Sequence, residues 1–220
     1  MCGRFAQPLP LGEIKKVFFI DEIEDEPEVH YNISPGQKIA AVVGLYGRKH
    51  LTSFTWGLVP FWAKDPSGGN KLINARGETL HSKPSFRNAF ESRRCLIIAA
   101  GFFEWRKGGK IKQPFYIHLA SRECFAFAGL HEKWVSPDGR ELRTCTIITT
   151  EPNEILKDIH NRMPVILSQR DEAVWLDPSV PKPELLSLMK PYPPEEMAYY
   201  RVSTTVNSTR NDSPDCIKPL

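Results

Sequence analysis

Removal of the initiator methionine from the run Met1-Cys2-Gly3-Arg4 leaves a thiol and a free α-amine on one residue. An α-amine with a reference pKa of about 8 is partly neutral at cellular pH, and a thiol near about 8.5 gains thiolate with modest help from its surroundings. The amine can add to an aldehyde to give an imine. The thiol can then close on the same carbon as a five-membered thiazolidine. If methionine stays on, Cys2 is instead a small buried hydrophobe near a terminus.

Four further segments combine polar or aromatic side chains with turn-like or strand-like context. Tyr31-Asn32-Ile33-Ser34-Pro35-Gly36 is either a plain turn or a loop whose backbone approaches a phosphate. Trp56-Gly57-Leu58-Val59-Pro60-Phe61-Trp62 sets aromatics around Gly and Pro, where they serve either base stacking or core packing. In Asn74-Ala75-Arg76-Gly77-Glu78, followed by Lys83, Arg87, Arg93 and Arg94, an amide beside guanidinium forks suits a sugar-phosphate. Its bland alternative is a surface pair between Arg76 and Glu78, which contributes little. The last segment is split between Gly101-Phe102-Phe103-Glu104-Trp105 and His160-Asn161-Arg162-Met163-Pro164. Glu104 lies among apolar neighbours that raise a carboxyl pKa towards acid/base use, and His160 is the side chain suited to proton transfer near neutrality. A lone histidine more often fills a structural role, whereas a buried carboxylate needs a reason to be there.

The 220 residues carry 41% hydrophobic content, enough for a sizeable core, and are expected to form one domain spanning 1–220. Five scattered cysteines without metal-ligand spacing, and no signal peptide, point to a soluble protein of the reducing cytoplasm with no metal and no disulfide framework. No apolar run is long enough to span a membrane. The net charge of +3 hides an uneven distribution: residues 31 to 120 hold fourteen basic and four acidic side chains, net +10, while residues 1 to 30 are net −4. Such a concentration fits either a polyanion partner or a solvated basic face.

The elements that must position these residues are mostly strands. Apolar spacing predicts a helix over Leu11–Phe19, then an acidic loop from Asp21 to Glu28. Ile39–Tyr46 and Leu51–Trp56 read as a hairpin turning through Gly47 to His50. Cys95–Ala100 reads as a buried strand; Phe102–Lys107 and Pro114–Ala120 flank Gly108-Gly109; Cys124–Trp134 and Leu142–Thr150 flank Pro137-Asp138-Gly139; Tyr199–Val202 is a last strand. Helices are expected over Lys83–Arg93, Pro152–Ile159 and Ser168–Leu176, the last with a serine cap, and Pro178–Pro194 reads as a wrapped surface segment.

In their order and combination, Met1-Cys2-Gly3-Arg4, Trp56-Gly57-Leu58-Val59-Pro60 with Trp62, Asn74-Ala75-Arg76 with Glu78, Gly101-Phe102-Phe103-Glu104-Trp105 and His160 to Leu167 closely resemble the SRAP (SOS response-associated peptidase) family. The resemblance implies an α+β domain on a curved, mostly antiparallel, barrel-like sheet with peripheral helices. It implies a groove for single-stranded DNA with the N-terminal cysteine at its floor, forming a thiazolidine with the ring-opened sugar of an abasic site and using no cofactor. Cys2, Asn74, Glu104 and His160 match the active-site positions. The expected strand contacts are Arg4, Asn32, Ser34, Pro35, Trp56, Gly57, Leu58, Trp62, Arg76, Arg87, Arg162 and Met163, in a monomeric protein. Phe103 stands where family members often have tyrosine. A peptidase with Cys2 as nucleophile, and a noncatalytic DNA-binding module, are the competing readings.

Overall fold

Alternation along the long strands builds two cores at once. In the computed structural model, which describes residues 2–106 and 112–220, the strands are β1 (Phe5–Gln7), β2 (Glu22–Ile23), β3 (His30–Ile33), β4 (Lys38–Leu45), β5 (Arg48–Trp56), β6 (Asn74–Arg76), β7 (Arg94–Ala99), β8 (Gly101–Arg106), β9 (Gln113–Leu119), β10 (Phe125–Val135), β11 (Glu141–Thr150), β12 (Met163–Pro164), β13 (Ile166–Leu167) and β14 (Met197–Arg201). The α-helices are α1 (Leu11–Phe18), α2 (Arg87–Ser92), α3 (Gln169–Leu176) and α4 (Lys182–Ser187).

Five of the strands close on themselves. β11 pairs antiparallel with β10, β10 with β7, β7 with β4 and β4 with β5; a parallel pairing of β5 with β11, Thr55 opposite Thr144 and Trp56 opposite Cys145, completes the ring. Closure removes the exposed edges that an open sheet would present. One face of these strands supplies Ile39, Phe54, Trp56, Ile97, Phe127, Cys145 and Ile147 to a core shared with Phe5, Ile33, Phe102 and Ile117 of the second sheet, ordered β14-β9-β8-β1-β3. The opposite face, with Ala40, Val42, Leu96, Ile98, Ala126 and Ala128, packs against Ile14 and Phe18 of α1, Phe90 of α2 and Trp175 of α3. This is the barrel-like α+β arrangement that the sequence led us to expect.

Local differences have local causes. The first hairpin turns at Tyr46-Gly47, both at positive φ (52° and 75°), so β5 starts at Arg48 and takes in His50, which the sequence reading left in the turn. Two residues at positive φ match the twist of the flanking strands better than a four-residue loop. The segment expected to be a helix from Pro152 to Ile159 forms turns instead. Asn153 donates its side-chain amide to Tyr192 O, and Leu156 and Ile159 close short bonds to Asn153 O and Leu156 O. Pro84 and the turn at Lys83–Phe86 delay α2 to Arg87. α4, which the proline-rich reading missed, starts from Pro181 with another proline inside its first turn, a position where proline is pre-organised for a helix. α3 opens as expected, with Ser168 Oγ accepting from Asp171 N. The expected Gly108-Gly109 turn, like Met1, lies outside the described residues.

Candidate active site at the amino terminus

The register of β1 against β8, Phe5 opposite Phe102 and Ala6 opposite Gly101, runs the residues before Phe5 alongside those after Phe102. Phe103 N donates to Arg4 O at 2.9 Å, which carries that register toward Glu104. Cys2 is thereby sealed in the shared core at 0% exposure, its Sγ 4.0 Å from Arg4 O. Burial first, and the neighbouring Glu104 carboxyl second, push the thiol well above its usual range. The thiol is held protonated.

Asn74 comes from a different part of the fold. β6 runs parallel to β11, with Asn74 opposite Ile147, and from there Asn74 Nδ2 donates to Cys2 O at 2.9 Å and to Ile73 O at 2.7 Å. Its Oδ1 is enclosed and accepts no hydrogen bond among the described residues. Glu104 is 4% exposed, and burial pushes its carboxyl up to about 8. A group that titrates there can both give and take a proton near neutrality.

His160 closes the turn whose Leu156 and Ile159 pack in the same core as Cys2. His160 N donates to Leu156 O at 2.8 Å, and Arg162 N sits 3.1 Å from the imidazole Nδ1. The Arg162 guanidinium reaches Glu78 with both terminal nitrogens, at 2.5 and 3.0 Å, and donates to Thr149 O at 2.6 Å. Glu78 thus pairs with Arg162, where the sequence suggested Arg76. The sequence named both residues without showing that they meet.

Several residues expected along a DNA strand have side chains engaged inside the protein. Arg4 Nη1 donates to Asn32 Oδ1 and Val206 O, both at 2.8 Å. Asn32 is fully buried and donates to Val206 O, Ser208 O and Asn211 O. Trp56 is fully buried and donates to Ile73 O at 2.9 Å, and Leu58 and Met163 are core residues. These packing demands come from segments far along the chain, so no local pattern announces them. Ser34 Oγ bonds Gln37 Oε1 beside the Pro35 turn. Gly57, at φ 133°, lies so close to Gly69 that a Cβ there would sit 2.9 Å from Gly69 O, which sets the course of the loop to Trp62. The side chains that remain open are Trp62 at 54% exposure, its neighbour Phe61 at 51%, Arg76 and Arg87.

Fold and site together define a class: a closed five-stranded barrel with a cysteine at position 2 sealed beside an amide and a carboxyl. Comparison with known proteins sharpens this. The family model for SOS response associated peptidase (SRAP) matches residues 1–209, and the chain belongs to that family. It is 48% identical to the abasic site processing protein YoqW of Bacillus subtilis over 99% of both chains. It is 40% identical to the abasic site processing protein HMCES of Gallus gallus, covering 100% of this chain and 78% of that one. Among solved structures, a protein from Bacteroides thetaiotaomicron superposes with a TM-score of 0.91 at 28% identity, over 100% of each chain. No helix among the described residues is long and apolar enough to cross a membrane.

Proposed function

We propose that this protein processes abasic sites in single-stranded DNA by joining Cys2 covalently to the ring-opened deoxyribose. The observation that carries the reading is the meeting of Asn74 and Glu104 at Cys2, in a chain whose relatives are named abasic site processing proteins.

Once Met1 is removed, the Cys2 amine attacks C1′ of the sugar aldehyde and forms a carbinolamine. His160 gives a proton to the ring oxygen and so favours the open aldehyde. Glu104, protonated at neutral pH, gives a proton to the departing hydroxyl as water leaves and the imine forms. An imine left alone acidifies the C2′ hydrogens and invites β-elimination. The Cys2 sulfur instead adds to C1′ as its proton passes to the nitrogen, closing the thiazolidine. Asn74 holds the Cys2 carbonyl, and its Oδ1 is an acceptor for the sugar or the amine. Arg76 and Arg87 face flanking phosphates and Trp62 covers a neighbouring base.

The test is an incubation with a single-stranded oligonucleotide bearing one abasic site, read by denaturing electrophoresis and intact mass. The expected product has the mass of demethionylated protein plus DNA less one water, and Cys2→Ala does not form it as a thiazolidine. An unchanged adduct from Cys2→Ala sinks the mechanism. The same spectra test the peptidase reading, which expects Met1 to be retained in Glu104 or His160 variants.

A further inference from the structure

The C-terminal end of β11 is flanked on its two sides by very short strands. On one side β6 pairs Asn74, Ala75 and Arg76 with Ile147, Ile148 and Thr149; on the other β12 pairs Pro164 and Met163 with Thr149 and Thr150. Asn74 is on the first flank and His160 leads into the second. Strands of three and two residues have few ladder bonds to hold them in place. Just past β6 stands Glu78 and just before β12 stands Arg162, and their side chains meet over Thr149.

From these contacts we propose that Glu78 is a positioning residue for the Cys2 reaction, clasping Arg162 so that the turn carrying the His160 imidazole keeps its place beside the end of β11. The inference rests on the function proposed above and deepens it. The path is continuous: both Glu78 oxygens hold the Arg162 guanidinium, Thr149 O fixes it from below, and the backbone N–H of Arg162 lies 3.1 Å from His160 Nδ1. A two-point Arg–carboxylate bond fixes direction as well as distance. The pair sits at an edge, with the Arg162 side chain 14% exposed and that of Glu78 53%. With the Glu78 carboxylate half exposed, water screens the pair, and Arg162 keeps its bond to Thr149 O without it, so the clasp acts on geometry more than on global stability. The guanidinium bond holds the Glu78 carboxyl below its usual range, which keeps the clasp charged through the working pH range.

The experiment compares wild type, Glu78→Ala and Glu78→Gln by single-turnover adduct formation on abasic single-stranded DNA at saturation, across pH, with affinity for undamaged strand and melting temperature measured alongside. Glu78→Ala is expected to lower the saturated rate by about tenfold, within the loss that a misplacement of about 1 Å brings, and to shift its pH profile. Affinity and melting temperature stay near wild type, and Glu78→Gln, which keeps one acceptor oxygen, recovers part of the rate. A wild-type rate in Glu78→Ala, or a deficit confined to affinity or melting temperature, overturns the proposal. If the wild type itself forms no Cys2-dependent adduct, the functional reading fails separately. The ring nitrogen chemical shifts of His160, read without DNA, then decide the clasp: a change in Glu78→Ala supports it and identical shifts overturn it.

Discussion

Asn74 Nδ2 donates to the carbonyl oxygen of Cys2 at 2.9 Å, a bond that spans 72 residues of sequence and fixes the peptide unit of the residue bearing the thiol. Asn74→Ala removes the anchor and leaves room for the terminus to turn. We expect adduct formation on abasic single strands to fall by roughly 10- to 100-fold at saturating DNA, with affinity for undamaged strands retained. Single-turnover kinetics beside a binding titration separate the two.

The pH profile follows from Glu104. Its carboxyl, raised by burial to about 8, is protonated at neutrality and loses its proton as pH rises through that value. The amine runs the other way, since only its neutral form attacks. The adduct-forming rate is therefore expected to be bell-shaped, with its alkaline limb falling near pH 8. Glu104→Gln should lower the rate and abolish that limb; a limb that persists in the variant assigns it to another group.

The two tryptophans of one segment separate by burial. Trp62 is half exposed, and Trp62→Ala should weaken single-strand binding by about 1–3 kcal/mol with little change in melting temperature. Trp56 is fully enclosed and packs edge-on against Phe5 at 5.2 Å, so Trp56→Ala should cost about 3–5 kcal/mol of stability. Denaturant unfolding and a salt-controlled binding assay distinguish these outcomes.

A further pH effect belongs to stability. His131 stacks on Phe54 at 4.8 Å, and burial, then Arg93 and Arg143, push its imidazole down to about 4. The unfolded ring binds its proton near about 6.5, so this site's contribution is fully present above that pH and is lost as pH falls toward 4. Unfolding free energy should decline across this window in the wild type, and His131→Gln should flatten the part of the slope above pH 5.

Asn32 ties the two ends of the chain together. Its amide holds three carbonyls of the C-terminal segment, and its Oδ1 receives Arg4. Asn32→Ala strands buried polar groups at roughly 1–3 kcal/mol each, so a loss of more than about 2 kcal/mol is expected in urea titrations. Adduct yield should fall with it, because Arg4 lies two residues from Cys2.

Much of the fold is legible in local pattern. Phe125 to Leu130 alternates between two cores because successive strand side chains point to opposite faces, and Ser168 caps α3 because its hydroxyl satisfies a free backbone donor. The first hairpin is legible but its turn sits at Tyr46-Gly47 rather than Gly47 to His50, and α4 is not legible, because backbone conformation rather than hydrophobicity sets these boundaries.

What the sequence by itself determined is chemical capacity: a cysteine at position 2, and the residue types Asn74, Glu104 and His160 able to serve it. The tertiary structure alone decided which side chains are spoken for. The pairing of β1 with β8 and of β6 with β11 brought Glu104 and Asn74 to Cys2, and long-range demand for hydrogen bonds and burial drew Arg4, Asn32, Trp56 and Arg162 inward. Trp62, Arg76 and Arg87 were left facing outward. The physical reason is that a side chain's type is local, whereas its pKa, its partner and its access to solvent are set by residues tens to hundreds of positions away.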